Sequence, residues 1–177
     1  MSSNHRYKIP KALRQVTLWV HPEGRVIGSL FLSYHTKNGP GMEDPFTVIN
    51  EAAPFLVLQR TDPEELRFYN KRAIIRVEYQ EEMAPPQEGV KTLHCQLSLM
   101  DGSRIGGIVR HLLPPSHGRL YDYLNIANEQ FAKLYLEDGS VCLVNKAYVV
   151  CGSPFTAQPV VEPRWLPEAV EIGKTSV

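Results

Sequence analysis

Two short stretches, one in each half of the chain, decide the predicted fold because one nearly repeats the other. The first is FYNKRAIIRV, Phe68–Val77, and the second is LVNKAYVVCG, Leu143–Gly152. In each stretch an apolar pair precedes Asn-Lys, and two branched apolar residues follow after two further positions. Asparagine tolerates the backbone geometry of tight reversals, so the pattern predicts the same strand-turn-strand hairpin twice in one chain.

Further landmarks extend the similarity on the N-terminal side of both hairpins. Residues 16–33 and 93–113 each predict two strands around a glycine turn, and Gly28 and Gly106 lie inside the second strand. The other matched pairs are Gly24 with Gly102, Ile27 with Ile105, Leu30 with Ile108, Ile49-Asn50 with Leu124-Asn125, Phe55 with Phe131, Leu58 with Leu134 and Lys71 with Lys146. Because the pairs occur in the same order, with gaps confined to loops, the sequence predicts a tandem duplication.

Each predicted copy contains strand, turn, strand, loop, strand, strand, tight turn and strand. Open sheet edges are a liability for so small a unit, so we expect a mainly β protein of two tandem small five-stranded barrels. Glycines within strands commonly mark sharp bends of a barrel sheet, and Gly28 and Gly106 are predicted to do so. We therefore expect these two glycines to superpose when the copies are compared.

The predicted domain organisation follows from these copies and from the segments between them. Pro10 favours the start of a short N-terminal helix, and the stretch between the copies is acidic and contains two prolines. The predicted segments are 1–14, a basic segment with that helix; 15–78, the first barrel; 79–91, the linker; 92–152, the second barrel; and 153–177, an extended proline-rich tail.

Composition limits the predicted partners and the compartment. The 177 residues include 19 basic and 19 acidic side chains, so no global charge attracts nucleic acid or anionic membrane. Local basic charge occurs near the N-terminus, at Arg6, Lys8, Lys11 and Arg14. No apolar run is long enough for a membrane span or a signal core, which favours a cytoplasmic protein without membrane contact.

The three cysteines, Cys95, Cys142 and Cys151, lie in apolar strand-like runs without C-x-x-C spacing. This placement is typical of buried reduced thiols, and a Cys142–Cys151 bridge across a hairpin is the alternative. The histidines are scattered, so no metal site is predicted. His111 and His117, on either side of a proline-containing loop, are expected to be solvated.

The two hairpins resemble the end of an Sm-like domain, the small SH3- or Sm-like barrel that includes the Hfq-type RNA chaperones of bacteria. YNKRAII and VNKAYVV are similar to the tyrosine-lysine-histidine-alanine turn and apolar strand of that family. The resemblance implies that Lys71 and Lys146 match the nucleotide-pocket lysine and that Tyr69 matches its aromatic neighbour. Arg72 and Ala147 stand in the place of the histidine. In LYDYLN the residues that match the first Sm motif are Asp122 and Asn125.

Two functional hypotheses follow, and neither involves catalysis or a cofactor. The motifs of serine hydrolases, zinc proteases and phosphate-binding loops do not occur in the sequence, so no enzyme is predicted. The first hypothesis is a protein-interaction or assembly module that binds a protein partner or copies of itself. The alternative is an Sm-like RNA-binding or other nucleic-acid-binding protein that uses the Asn-Lys hairpins.

The residues predicted to bind a partner or a nucleic acid are Tyr69, Asn70, Lys71, Arg72, Asn145 and Lys146. A purely structural interpretation of the same motif is also open. In that interpretation both asparagines only turn the chain, and both lysines keep their charged ends in water.

Overall fold

The computed structural model describes residues 11–36, 39–82 and 84–155. The first half contains β1 Lys11–Val20, β2 Gly24–Ser33, β3 His35–Thr36, β4 Gly39–Pro40, α1 Pro45–Asn50, β5 Phe55–Thr61, β6 Glu64–Asn70 and β7 Ile74–Gln80. The second half contains β8 Lys91–Leu99, β9 Arg104–His111, α2 Leu120–Leu124, β10 Phe131–Tyr135, β11 Ser140–Asn145 and β12 Val149–Pro154. Short 3₁₀ turns lie at Lys71–Ala73, Pro115–His117 and Lys146–Tyr148.

Ten of the strands form one open antiparallel sheet, which confirms the mainly β class. The order is β12-β8-β9-β10-β11-β7-β1-β2-β5-β6, and β3 pairs separately with β4. Within each half the five strands of the large sheet follow the same order: fifth, first, second, third, fourth. The halves join where β11 pairs with β7, from Ser140 opposite Gln80 to Val144 opposite Arg76. This pairing is called the central seam below.

The apolar residues form two buried clusters, and the central seam contributes to both of them. On β7, Ile74 belongs to the first cluster and the adjacent Ile75 to the second. On β11, Leu143 belongs to the first and Val144 to the second. Successive side chains of a strand point to opposite faces, so a strand between two cores must be apolar on both. All six residues of β11, SVCLVN, are accordingly buried.

The prediction of a short N-terminal helix is wrong from residue 11 onward. Lys11–Val20 is a strand that pairs with β2 along its whole length, from Lys11 opposite Ser33 to Val20 opposite Gly24. Pairing with β2 along ten residues outweighs the moderate local preference of this segment for a helix, as tertiary context often does. The more N-terminal part of the predicted basic segment, with Arg6 and Lys8, lies outside the described residues, as does the tail after Phe155.

Gly28 lies against a neighbouring strand, but the glycine of the second half with the same kind of contact is Gly107 and not the predicted Gly106. A Cβ at Gly28 would lie 2.5 Å from the Gln59 carbonyl oxygen, whereas a Cβ at Gly106 would meet nothing within 4 Å. At Gly107 it would lie 2.8 Å from the Tyr135 carbonyl oxygen. The strands on both sides of the turn correspond at one offset, since Val16 lies opposite Gly28 and Cys95 lies opposite Gly107. Gly24 lies four residues before Gly28, whereas Gly102 lies five residues before Gly107, so matching the turn glycines shifted the alignment by one residue.

The thiols and histidines differ in part from the predictions. Cys95 and Cys142 are buried, as predicted, but Cys151 is exposed, and all three are free, so the Cys142–Cys151 bridge is absent. His117 is exposed, as expected. His111 is buried instead, because it lies on the core face of β9. The corresponding residue of β2 is Leu32.

Candidate functional site

Each asparagine of the two Asn-Lys motifs closes a 3₁₀ turn between two strands. The Asn70 side-chain oxygen accepts a hydrogen bond from the Arg72 backbone N–H at 2.9 Å. The Asn145 side-chain oxygen accepts one from the Ala147 N–H at 3.0 Å. A side-chain oxygen that accepts from the backbone two residues later satisfies a donor that the turn leaves free. The predicted turning role of both asparagines is therefore confirmed.

The two lysines are bound within the chain rather than in water. Lys71, which is 2% exposed, donates from Nζ to the carbonyl oxygens of Val48 at 3.1 Å and Glu51 at 2.9 Å. Lys146 is half-buried and donates to the Ile126 carbonyl oxygen at 3.0 Å. Carbonyls at and beyond a helix C-terminus have no partners within the helix. Each lysine thus fastens the segment that follows a helix to the turn between the last two strands.

Burial is the main cause of the altered pKa of both lysines. It lowers the pKa of Lys71, and the charge of Glu51 opposes this effect. It lowers the pKa of Lys146 in the same way, and Glu129 opposes it. Burial removes the water that stabilises an ammonium ion, and the carbonyl oxygens replace part of that solvation. Both lysines therefore have a structural role, in which the ammonium group binds carbonyl oxygens of the same chain.

The structure brings the two turns together at the central seam. The Asn145 amide nitrogen donates to the carbonyl oxygens of Lys71 at 3.2 Å and Ile74 at 2.8 Å. Asn145 is completely buried, whereas the matching Asn70 is exposed beside Arg72. Of the other predicted site residues, Tyr69 is buried in the first core. The same motif therefore binds the neighbouring half in one copy and faces solvent in the other.

A second polar contact at the seam was not recognised from the sequence. The Asn50 amide at the end of α1 donates to the Phe131 carbonyl oxygen at 3.3 Å, and its oxygen accepts from the Phe131 N–H at 2.8 Å. Phe131 itself is fully buried in the first core. The sequence signal for this contact was the matched pair Asn50 and Asn125, which recurs in both halves. Asn125, unlike Asn50, is exposed.

Ionic contacts complete the seam. Lys133 Nζ lies 3.3 Å from Asp44 and 3.0 Å from Glu81, and the Tyr79 hydroxyl donates to Asp44 at 3.2 Å. Burial alone would lower the pKa of Lys133, but the two carboxylates raise it overall. Nearby, the Arg76 guanidinium stacks on the Trp19 ring at 4.1 Å. Ion pairs and a hydrogen bond between side chains therefore join the two halves in addition to the strand pairing.

Among the described residues, the outer edges of the sheet are β6 and β12, and each has no neighbouring strand on one side. Leu66 and Phe68 on β6 are 50% and 65% exposed, and Phe55 on the adjacent β5 is 53% exposed. Val150 on β12 is similarly exposed. An open groove of about 500 Å³ lies beside β6 and is lined in part by Phe55, Leu66 and Val48. Contiguous exposed apolar groups of this kind mark interaction surfaces.

Other kinds of site are not apparent in the part of the chain that the structure describes. No three His, Cys, Asp or Glu side chains there cluster closely enough to hold a metal ion. None of the described helices has the length and hydropathy of a membrane span. Comparison with protein-family models, curated proteins and solved structures finds no significant match.

Proposed function

We propose that the chain is a non-enzymatic protein-interaction or assembly module that works through the open edges of its sheet. One observation carries the proposal. Phe55, Leu66 and Phe68 are exposed, whereas the residues at the matching positions of β10 and β11 are fully buried across the central seam. In the described part of the chain the edge of β6 therefore presents both an apolar surface and backbone groups without a strand partner, which are the two features that attract another strand.

The proposal includes a tandem duplication of two small barrel-like units with an Sm-like arrangement. Its support is the repeated strand order and the repeated chemistry of the turns. In each half an asparagine caps the turn after the fourth strand, and the next lysine binds carbonyl oxygens after the helix. Two unrelated units would have no reason to use the same side chains for the same contacts.

No catalytic step is assigned, because the buried ionisable groups are engaged in holding the fold. Lys71 binds two carbonyl oxygens and Lys133 binds two carboxylates. Arg76 pairs with Glu78 at 2.7 Å. The pKa values of Lys71 and Lys133 are altered by burial and by partners within the fold, and structural ion pairs are a known origin of such shifts.

The edge is tested with the double variant Leu66→Lys/Phe68→Lys. Lysines on an edge strand oppose strand addition, and both positions are exposed, so the variant is expected to remain folded. Sedimentation of the purified chain and pull-down from native cells should show complexes for the wild type that the variant does not form. A wild type that is monomeric when pure and captures no protein from cells would disprove the proposal.

Nucleic-acid binding is the second candidate, and the exposed pair Asn70 and Arg72 on the first turn is the observation that favours it. Because Lys71 is buried, Arg72→Ala is a cleaner test than removal of the lysines. If the turn contacts phosphates, binding of single-stranded RNA should weaken steeply with salt, and Arg72→Ala should flatten that dependence. The pull-down described above should be analysed for RNA as well as for protein. If the pull-down contains no RNA, the assembly function is the one candidate of the two that remains.

A further inference from the structure

Buried polar groups without partners cluster around one pocket of the second half. In the described part of the chain, six buried side-chain nitrogen or oxygen atoms have no hydrogen-bond partner: Trp19 Nε1, Arg60 Nε, Tyr69 Oη, Arg110 Nε, His111 Nε2 and Glu129 Oε2. The last three belong to residues that line a single pocket of about 310 Å³. Buried polar groups in folded proteins are nearly always paired, so three unpaired atoms around one space point to a ligand.

The pocket lies where the end of β9, α2 and β10 of the second half meet α1 of the first half. Its remaining wall is largely aromatic or aliphatic and includes Phe46, Leu113, Tyr123, Ile126 and Tyr135. Small-molecule sites in proteins combine such walls with a few polar groups, in volumes of roughly 300–1,000 Å³. The pocket has this composition, and its volume limits the ligand to a small molecule.

Two of the unpaired atoms are hydrogen-bond donors. His111 is 7% exposed, and its Nδ1 accepts from the Leu113 N–H at 3.1 Å, so the neutral ring carries its proton on Nε2. Arg110 donates from one terminal nitrogen to the Ala84 carbonyl oxygen at 2.8 Å, and its guanidinium lies 4.7 Å from the centre of the Tyr135 ring. These contacts hold the arginine in place and leave its Nε–H group for a ligand.

The third unpaired atom is an acceptor, the Oε2 of Glu129. Burial raises the pKa of Glu129, and the charge of Lys146 opposes this effect. A positively charged ligand group beside the carboxylate would stabilise its ionised form. Lys133 also lines the pocket, but its charge is already paired with Asp44 and Glu81. The pocket therefore offers one cationic side, with two N–H donors, and one anionic side.

The fold does not require these three polar groups, because the corresponding place in the first half lacks them. The register of the strand pairs matches Arg110 with Phe31 and His111 with Leu32. Glu129 matches Ala53, since each stands two residues before the equivalent phenylalanine of the next strand. Phe31 and Ala53 line the groove beside β6, where the polar groups are thus replaced by apolar ones.

We propose that the pocket of the second half binds a small apolar α-amino acid, whose carboxylate contacts Arg110 and His111 and whose ammonium group contacts Glu129. A carboxylate alone would leave Glu129 without a partner, and an amine alone would leave both donors without one. An α-amino acid carries both charged groups on one carbon, and charge-assisted hydrogen bonds are the strong ones. Its apolar side chain would lie against the aromatic and aliphatic wall.

The ligand is tested on the full-length wild type by isothermal titration calorimetry with leucine and phenylalanine. The titration is made above pH 6.5, where the His111 ring is neutral because burial lowers its pKa from that value. Isocaproate, which is leucine without the amino group, and isoamylamine, which is leucine without the carboxylate, are the matched analogues. Leucine should bind at one site per chain, and each analogue should bind about tenfold or more weakly, because it leaves a charged partner unpaired.

Two variants locate the site, and each introduces the residue that the first half carries at the same place. Glu129→Ala and His111→Leu should therefore fold, which Tm measures, and each should weaken leucine binding about tenfold or more. Glu137→Ala and His117→Leu are the matched controls. They remove exposed groups of the same kinds outside the pocket and should bind leucine like the wild type.

Failure of the wild type to bind leucine or phenylalanine at millimolar concentrations would overturn the inference. An analogue that binds as tightly as leucine would do so as well, because one of the two charged contacts would then be unnecessary. Leucine binding that is equal in the wild type and in both folded pocket variants would place the ligand elsewhere. The ligand series uses the wild type alone, so it decides the inference even if a variant does not fold, and none of these results bears on the β6 edge.

Discussion

The central seam and the outer β6 edge occupy equivalent places in the two halves, yet one is closed and the other open. At the seam β11 is buried on both faces, with apolar residues throughout except at its ends. On β6 the residue Tyr69 is buried against its own half, while Leu66 and Phe68 face outward. The difference teaches that a strand can carry large apolar residues on a face for which the described part of the chain supplies no core.

The first prediction compares the two phenylalanines in equivalent positions. Phe131→Ala removes a fully buried ring from the core at the seam, so we expect a loss of about 3–5 kcal/mol in the free energy of unfolding. Phe55→Ala should change that free energy by less than about 0.5 kcal/mol in the isolated chain, because the ring is exposed. Guanidinium unfolding at low protein concentration measures both.

For the strength of self-association we expect the opposite ranking of the two variants, with the larger effect at the exposed Phe55. Phe55→Ala should weaken it, because this ring has the position that Phe131 has at the seam. If Phe55→Ala destabilised the isolated chain as much as Phe131→Ala, the ring would belong to an internal core and the comparison would fail.

The second prediction concerns the two lysines. Lys71→Ala leaves two carbonyl oxygens without their charged donor, which should cost about 2–3 kcal/mol. Lys146→Ala removes one such bond from a less buried site and should cost about 1 kcal/mol. Thermal unfolding of both variants tests the ranking. A double variant as stable as the wild type would mean that both ammonium groups are solvated, as the structural interpretation of the sequence expected.

The third prediction uses three glycines. Gly28→Val and Gly107→Val force a side chain against a backbone oxygen of the neighbouring strand, so each should cost about 1–3 kcal/mol. Gly106→Val enters open space and should stay within about 0.5 kcal/mol of the wild type. The alignment made from the sequence alone matches Gly106, and not Gly107, with Gly28. A destabilised Gly106→Val together with a neutral Gly107→Val would restore that alignment.

Much of the architecture could be predicted from local patterns. The alternation of apolar residues indicated the strands, and the Asn-Lys motifs indicated the turns, because both are set by neighbours in sequence. The alignment of Gly28 with Gly106 failed because it was anchored on the turn glycines, and Gly24 and Gly102 stand at different positions relative to the paired strands. A shift of one residue moves a side chain to the other face of the sheet.

The roles of the candidate site residues depended on contacts that are distant in sequence. Lys71 was expected either to bind a partner or nucleic acid or to keep its charge in water, but the end of α1 lies close enough to accept its hydrogen bonds. Asn145 was expected either to bind a partner or nucleic acid or only to turn the chain, and it donates across the seam to Lys71 as well as capping its turn. No local pattern distinguishes Asn70 from Asn145. The difference arises from the pairing of β11 with β7, which the sequence did not indicate.

The smallest expected effect concerns the two core positions that correspond in β2 and β9, Leu32 and His111. The pKa of His111 is lowered from its ordinary value of 6.5, first by burial and then by the charge of Lys91. Its Nδ1 accepts a hydrogen bond from the Leu113 N–H at 3.1 Å, and protonation of that nitrogen would break it. The unfolded chain therefore binds this proton more readily than the folded chain.

The stability that His111 contributes is therefore fully present above pH 6.5 and is lost as the pH falls through the lowered pKa. His111→Asn keeps an acceptor but does not titrate, so the decrease in Tm between pH 7.5 and pH 5 should be smaller than in the wild type by roughly a few degrees. His117→Asn is the control, because this histidine is exposed and should leave the decrease unchanged. Equal decreases for the wild type and both variants would mean that His111 is solvated, as the sequence had predicted, and that the second core does not include it.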